Sequence, residues 1–285
     1  DVRTSQAHSS SFFVACMVKM IYPKIQIFWH DHNGIGVIPK REGAIYLQFF
    51  SFFFKGIIAV NTELEAWARR KLFCKNIIYL QNYVVENNDF DKTTLLKGED
   101  GKRVLYLANL RHQKNHFLLV DAVKKVHNDF KDWTFHLVGN DSNNDYSTRL
   151  KAKIKENNLE NVIYIYGSKQ DTENIISQSD IAVFTSNSEG LPVALLEYGL
   201  FCKPVVSTRV GQIPFIVEHG KCGFISKIGD SEAFSVNLST LMADKELRLK
   251  LGKEIHKVIL ETYSEQVVID NYFSWILNLK NIKIN

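Results

Sequence analysis

From Ile181 to Ser207 the chain reads as strand, tight polar loop, helix, strand, and that order leaves few folds open. Ile181-Ala182-Val183-Phe184-Thr185 is a short continuous apolar run, the pattern of a strand buried on both faces of a parallel sheet. A second such run, Pro204-Val205-Val206-Ser207, follows after a helix-length segment, so the two strands join through a crossover helix. Pro192 fits the first turn of that helix, where its missing N–H costs nothing. Glu189 then sits in the loop at the carboxyl end of a strand, beside free helix N–H groups, and Glu197 lies roughly two turns into the helix. A loop carboxylate next to a helix N-terminus can hold a ligand's hydroxyls and phosphates together. The same two glutamates also fit a blander pattern, an N-cap carboxylate and a solvated helix residue.

Strands alternating with helical patterns recur along the chain and imply parallel sheets throughout. In residues 1–86 the strand-like runs are Val2 to Gln6, Ile25 to Trp29, Ile57 to Val60 and Ile77 to Leu80. Asn61-Thr62-Glu63 signals the start of a helix that runs through Lys71. Residues 87–101 are polar and turn-rich and read as a linker. A second α/β series fills residues 102–262, with strands at Arg103 to Leu107, Trp133 to Val138, Val162 to Tyr166, Ile181 to Thr185 and Pro204 to Ser207. Residues 263–285 close the chain with a helix over Glu265 to Leu279, whose Val268, Tyr272, Trp275, Ile276 and Leu279 share a face.

Composition narrows the class. With 285 residues, 45% hydrophobic and 23% charged, the chain has the make-up of one large globular domain or two modest ones. The formal net charge of +4 suits an enzyme of anionic nucleotides or of an anionic membrane face, and does not call for nucleic acid. Cys16, Cys74, Cys202 and Cys222 lack CxxC spacing and lie in apolar stretches, so reduced, buried thiols of a cytosolic protein are expected. The run Tyr46 to Phe54 is far shorter than the roughly 20 residues of a membrane span. It reads as the buried end of a helix, with a peripheral membrane contact as the alternative. The first half lacks the opening strand and glycine-rich turn of a nucleotide-binding unit and reads as incomplete at its N-terminus.

Two further loops carry chemistry. The strand ending at Leu107 empties into Ala108-Asn109-Leu110-Arg111-His112-Gln113-Lys114-Asn115-His116, which sets Arg111 and Lys114 at the ligand-binding end of a parallel sheet. Such cations can neutralise a pyrophosphate without a metal. Phe28-Trp29-His30-Asp31-His32 is an apolar strand running into a polar loop. A His-x-His pair could be half of a metal site, but no clustered carboxylate or cysteine completes it, and no metal is expected.

Ser186-Asn187-Ser188-Glu189-Gly190-Leu191-Pro192, Glu197, Lys203 to Thr208 and Val210-Gly211 together resemble the signature of the retaining glycosyltransferases of family 4. The likeness is loose before residue 90 and good at Lys114-Asn115. It departs at Asn109, where many members have Arg, and Arg111 two residues later is taken to fill that role. The resemblance implies a GT-B fold: two Rossmann-like α/β domains, the first incomplete here, with a C-terminal helix crossing back. It implies transfer of a sugar from a nucleotide-diphosphate sugar, a substrate rather than a cofactor, to a glycan or lipid-linked saccharide, without metal. By the same resemblance Glu189 faces the donor sugar, Glu197 binds the ribose, and Lys114 and Arg111 meet the phosphates. Gly190, Leu191 and Gly211 offer backbone, and Asn109 lies in the donor loop. His30 touches the sugar or leaving phosphate, with Asp31 and His32 as orienters or acceptor contacts. Many members build bacterial surface polysaccharides at the cytoplasmic face of the membrane. A nucleotide-sugar epimerase, a sugar-phosphate synthase and a nonenzymatic nucleotide-sugar binder are the competing readings.

Overall fold

The computed structural model describes residues 3–6, 9–31, 45–87 and 89–280. The chain divides into two units, residues 1–83 with 265–285, and residues 84–264.

In the first unit, β1 (Arg3–Gln6), β2 (Ile27–Asp31), β3 (Phe54–Ala59) and β4 (Ile77–Tyr79) form one sheet in that order, and every pairing is parallel. Parallel neighbours need crossovers, and α1 (Ser9–Ile21), α2 (Ile45–Ser51) and α3 (Thr62–Lys71) lie between successive strands. Asn61 caps α3, its side-chain oxygen accepting from Leu64 N at 2.8 Å, as the Asn-Thr-Glu start signal requires. Ile27, Trp29, Ile57, Trp67 and Ile77 make the core of this unit. The last helix, α11 (Glu265–Lys280), returns to this unit, with Val268 and Ile276 buried and Trp275 packed edge-on against Phe28 at 5.7 Å.

The expectation for the aromatic run was half right. Leu47 and Phe54 are buried, but Phe49 and Phe52 face solvent. A stretch that is apolar all round carries no periodicity to say which side turns inward.

The second unit holds β5 (Arg103–Leu107), β6 (Thr134–Val138), β7 (Ile163–Ile165), β8 (Ile181–Phe184), β9 (Val205–Thr208) and β10 (Gly223–Ser226). They are all parallel, in the spatial order β10-β9-β8-β5-β6-β7. The winding runs outward in both directions from β5 and β8, so the order reverses between those two strands. This is the doubly wound arrangement, whose ligand crevice lies at the carboxyl ends of the strands flanking the reversal. Helices α4 (His116–Val126), α5 (Asp145–Glu156), α6 (Thr172–Ser177), α7 (Val193–Leu200), α8 (Ile213–Ile216), α9 (Ser231–Ala243) and α10 (Lys245–Tyr263) complete the unit. Strands β5 and β8 are buried almost throughout, which explains their near-continuous apolar sequence.

The stretch read as a linker is held within this unit. Thr93 N, Thr94 N and the Thr94 hydroxyl all donate to the Asp171 carboxylate at 2.6–3.0 Å, and Leu96 is buried. Among the described cysteines placement differs from the expectation at one position: Cys74 and Cys222 are buried, but Cys202 is exposed, and the Cys16 side chain lies outside the description. Cys202 stands just past the end of α7 at φ 54°, where its N–H donates to Gly199 O and the Lys203 N–H to Tyr198 O. That is a Schellman cap, which needs a left-handed residue outside the helix.

Candidate active site in the second unit

The loops after β5 and β8, on either side of the strand-order reversal, are latched to each other. Asn187 N donates to Gln113 O at 2.8 Å, and Gln113 Nε2 to Ser188 O at 2.8 Å. The Thr185 hydroxyl donates to Lys114 O at 3.0 Å. Tyr106, fully buried in β5, lies 2.7 Å from the same carbonyl and 3.0 Å from Ser186 Oγ. Burial pushes its phenol well above the usual range, so it serves as a hydrogen-bonding strut.

At the centre of the latch Lys114 Nζ lies 2.7 Å from Glu189 Oε1, which also accepts from Ser186 Oγ at 2.5 Å. The Glu189 side chain is 6% exposed and that of Lys114 is 22%. Burying a carboxylate is costly unless a countercharge and hydrogen bonds compensate it, and the β5 loop supplies the cation. The sequence placed both groups at the same sheet end. Their direct pairing depends on the strand order, which no local pattern reports.

The backbone around Glu189 is shaped by the β9 loop. Gly211 has φ 52°, and a Cβ there would stand 2.4 Å from Glu189 O and 2.5 Å from Gly190 O. Gln212 N also donates to Gly190 O at 3.0 Å. Gly211 thus forms the floor on which the Glu189-Gly190 turn rests, while Leu191 is buried beneath it. Pro192 is the N-cap of α7 and not a first-turn residue, because the chain stays extended (ψ 125°) for one more step. The helix therefore starts at Val193, and Glu197 sits just over one turn in, instead of two. The first N–H groups of α7 have no intrahelical acceptor.

A cleft of about 340 Å³ opens at this end of the sheet, lined among others by Asn109, Lys114, Gly139, Ser168, Lys169 and Glu197. Burial raises the pKa of Glu197, helped by the charge of Glu173. Its carboxylate lacks full hydration, and a ligand offering two hydroxyls would restore it. Asn109 works through its side-chain oxygen, which accepts from Asn140 N at 2.7 Å. Gly139 lets the chain after β6 approach so closely that a Cβ would stand 2.3 Å from Ala108 O. Arg111 is exposed and absent from the cleft lining. Of the phosphate-binding candidates, then, only Lys114 has its side chain in the cleft.

Ser168, Lys169 and Thr172 form a wall of the cleft and are not among the sequence candidates. A signal existed: Gly167, two residues past the parallel strand β7 and at φ 68°, opens a loop at the ligand-binding end. This wall is braced by Asp171, which accepts from Thr93, Thr94 and Asn174. Burial works against its ionisation, but the Thr94 donors and their neighbours outweigh it and hold the carboxyl well below the usual carboxylate range.

His30 and Asp31 belong to the first unit, at the carboxyl end of β2, with Asp31 buried and His30 half-buried. His32 lies outside the described residues. Among the described residues, no three or more His, Cys, Asp or Glu side chains gather as a metal site would require.

A family model described as "Glycosyl transferases group 1" matches residues 87–258. The N-acetyl-alpha-D-glucosaminyl L-malate synthase of Bacillus anthracis is 26% identical over 204 residues, 70% of this chain and 52% of that protein. The lipopolysaccharide core biosynthesis glycosyltransferase LpsE of Rhizobium meliloti is 25% identical over 182 residues, 64% of this chain and 52% of that protein. The chain therefore spans about half the length of these two relatives. Among solved structures, Anabaena HepE in complex with UDP superposes with a TM-score of 0.78 at 18% identity, covering 96% of this chain and 78% of that one. That likeness establishes the fold, GT-B with parallel-sheet α/β units. With a latched pair of loops at the strand-order reversal and a family match over three-fifths of its length, this chain belongs to the glycosyl transferases group 1.

Proposed function

We propose that the chain acts as a retaining glycosyltransferase of the family 4 type. It moves a sugar from a nucleotide-diphosphate sugar to a glycan or lipid-linked saccharide in the assembly of a bacterial surface polysaccharide, at the cytoplasmic side of the membrane. The observation that carries this reading is the pairing of Lys114 with Glu189 beside a cleft that also holds Glu197.

In this reading the ribose diol donates both hydroxyls to the underhydrated Glu197, and the pyrophosphate comes to Lys114. The ammonium, held by Glu189, is pre-placed for the negative charge that develops on the leaving phosphate. Arg111 swings from solvent to the same phosphates. Glu189, released from part of its ion pair, accepts hydrogen bonds from the donor sugar, which backbone of Gly190, Leu191 and Gly211 encloses. His30 and Asp31, with His32, are assigned to the sugar and acceptor. The residues named supply charge neutralisation and hydrogen bonding, and neither a metal nor a cofactor enters the scheme.

The test is product analysis with a panel of uridine, guanosine and adenosine diphosphate sugars, with and without saccharide and lipid-phosphate-linked acceptors, read by proton NMR. Acceptor-dependent release of nucleoside diphosphate, with the anomeric configuration kept in the product, is expected. Interconversion of the donor sugar without acceptor would make the protein an epimerase. Nucleotide binding with no turnover under any combination would leave it a binding protein.

A further inference from the structure

The aromatic run of the first unit divides between core and surface. Phe54 enters the core, while Phe49 and Phe52 are 62% and 75% exposed. The backbone N–H of Phe73 donates to Ser51 Oγ at 2.8 Å, which fixes the turn after α3 against the end of α2, and Phe73 is itself 62% exposed. Three outward phenylalanines thus come from two segments tied together. Helix α1 packs beside α2 and adds Val14, Met17 and Ile21, all exposed and spaced to share one helix face. Large apolar side chains turned to water on adjoining elements mark a surface that meets something.

The charges around this surface select its partner. Arg70 and Lys71 in the last turn of α3, and Lys75 just beyond Phe73, are all exposed. From Ile45 to Lys75 the only carboxylates are Glu63 and Glu65. Both lie in the first turn of α3, away from Phe73, and Glu65 is paired with Arg69. Residues 9–30 contain two lysines and no carboxylate. An exposed face bearing Phe or Leu can bury into the headgroup and acyl boundary of a bilayer, and clustered cations are drawn to anionic lipids.

We propose that this face of the first unit, built from α1, α2 and the turn at Phe73, docks on the surface of an anionic lipid bilayer. Phe49, Phe52 and Phe73 are its anchors, and Arg70, Lys71 and Lys75 its electrostatic contacts. No helix among the described residues is long and apolar enough to cross a membrane, so the contact is peripheral. It does not rest on the transfer reaction, because a protein unable to turn over any sugar would still dock.

The test is flotation of the full chain with vesicles of mixed phosphatidylglycerol and phosphatidylcholine, and with vesicles of phosphatidylcholine alone. Binding is expected to the mixed vesicles and to be much weaker to the neutral ones. Each of Arg70→Gln, Lys71→Gln and Lys75→Gln should lower the partition coefficient about fivefold, and the combined Phe49→Ser, Phe52→Ser, Phe73→Ser variant should abolish flotation. Both sets change exposed side chains, and an unchanged melting temperature and nucleoside diphosphate affinity show that the fold and the second unit are intact. Absence of flotation by the wild type would overturn the proposal, as would flotation indifferent to these substitutions. A dimer seen by light scattering that the Phe variant dissolves, without vesicle binding, would assign the face to a second copy of the chain instead.

Discussion

Replacing Gly211 by alanine tests whether the Glu189 turn is held in place by the β9 loop. At φ 52° an L-residue is strained, at a cost of roughly 1–2 kcal/mol. The added Cβ would stand 2.4 Å from Glu189 O, against an ordinary contact of 3.4 Å or more. The obstacle is backbone, so the turn itself must retreat by about an ångström, a misplacement that costs on the order of 10²-fold in rate. Initial rates of nucleoside diphosphate release at saturating donor, read beside thermal melts, give both quantities. The control is Gly220→Ala, outside the site, where a Cβ at φ 80° meets nothing within 4 Å and turnover is the comparison. That variant should stay within about twofold of wild type, the effect of about half a kcal/mol. Wild-type turnover in Gly211→Ala would refute the claim that this contact positions Glu189.

Other consequences can be checked separately. Lys114→Ala should lower turnover by about 10²–10³. Arg111→Ala should also be damaging if the guanidinium swings in to the phosphates, whereas a silent Arg111→Ala beside a damaging Asn109→Ala would shift that role away from Arg111. Stability should fall on acidification. His116 and His136, buried, have pKa values lowered to about 4 and about 3. The unfolded chain therefore takes up more protons below its ordinary histidine pKa, and roughly 3 kcal/mol or more per residue is lost progressively from about pH 6.5 down to those values. Urea midpoints across that range would show it, and a flat profile would count against it. Cys202→Gly should raise the melting temperature by a few degrees, because glycine adopts the left-handed cap without the roughly 1–2 kcal/mol penalty of a side chain; a lower melting temperature would show that the thiol contributes packing worth more than the strain.

Much of the architecture was legible because parallel strands are buried on both faces and appear as uninterrupted apolar runs. Ile181 to Thr185 and Arg103 to Leu107 could be placed within a residue on that basis. Glycines and polar residues after those runs marked the ligand-binding ends. Three-dimensional order was less accessible. That β5 neighbours β8, and so brings Lys114 against Glu189, follows from topology. Pro192 could serve as cap or first-turn residue by sequence alone, and the helix start sets how far into α7 Glu197 lies. Phe49 and Phe52 were misplaced because an all-apolar segment has no phase. Ser168 and Lys169 were passed over because their loop carries no motif beyond a single glycine.

The proposed mechanism turns on Glu197 holding the nucleotide while Glu189 serves the sugar. Calorimetric titration of uridine, guanosine and adenosine diphosphates into the wild type, Glu197→Ala and Glu189→Ala separates the two. A ribose diol held by charged hydrogen bonds contributes roughly 1.5–3 kcal/mol, so Glu197→Ala should weaken the best nucleotide by about ten- to hundredfold. Glu189→Ala should leave its affinity unchanged or slightly higher, since Lys114 is freed for the phosphates. Equal affinities in the two variants would contradict the assignment at its centre.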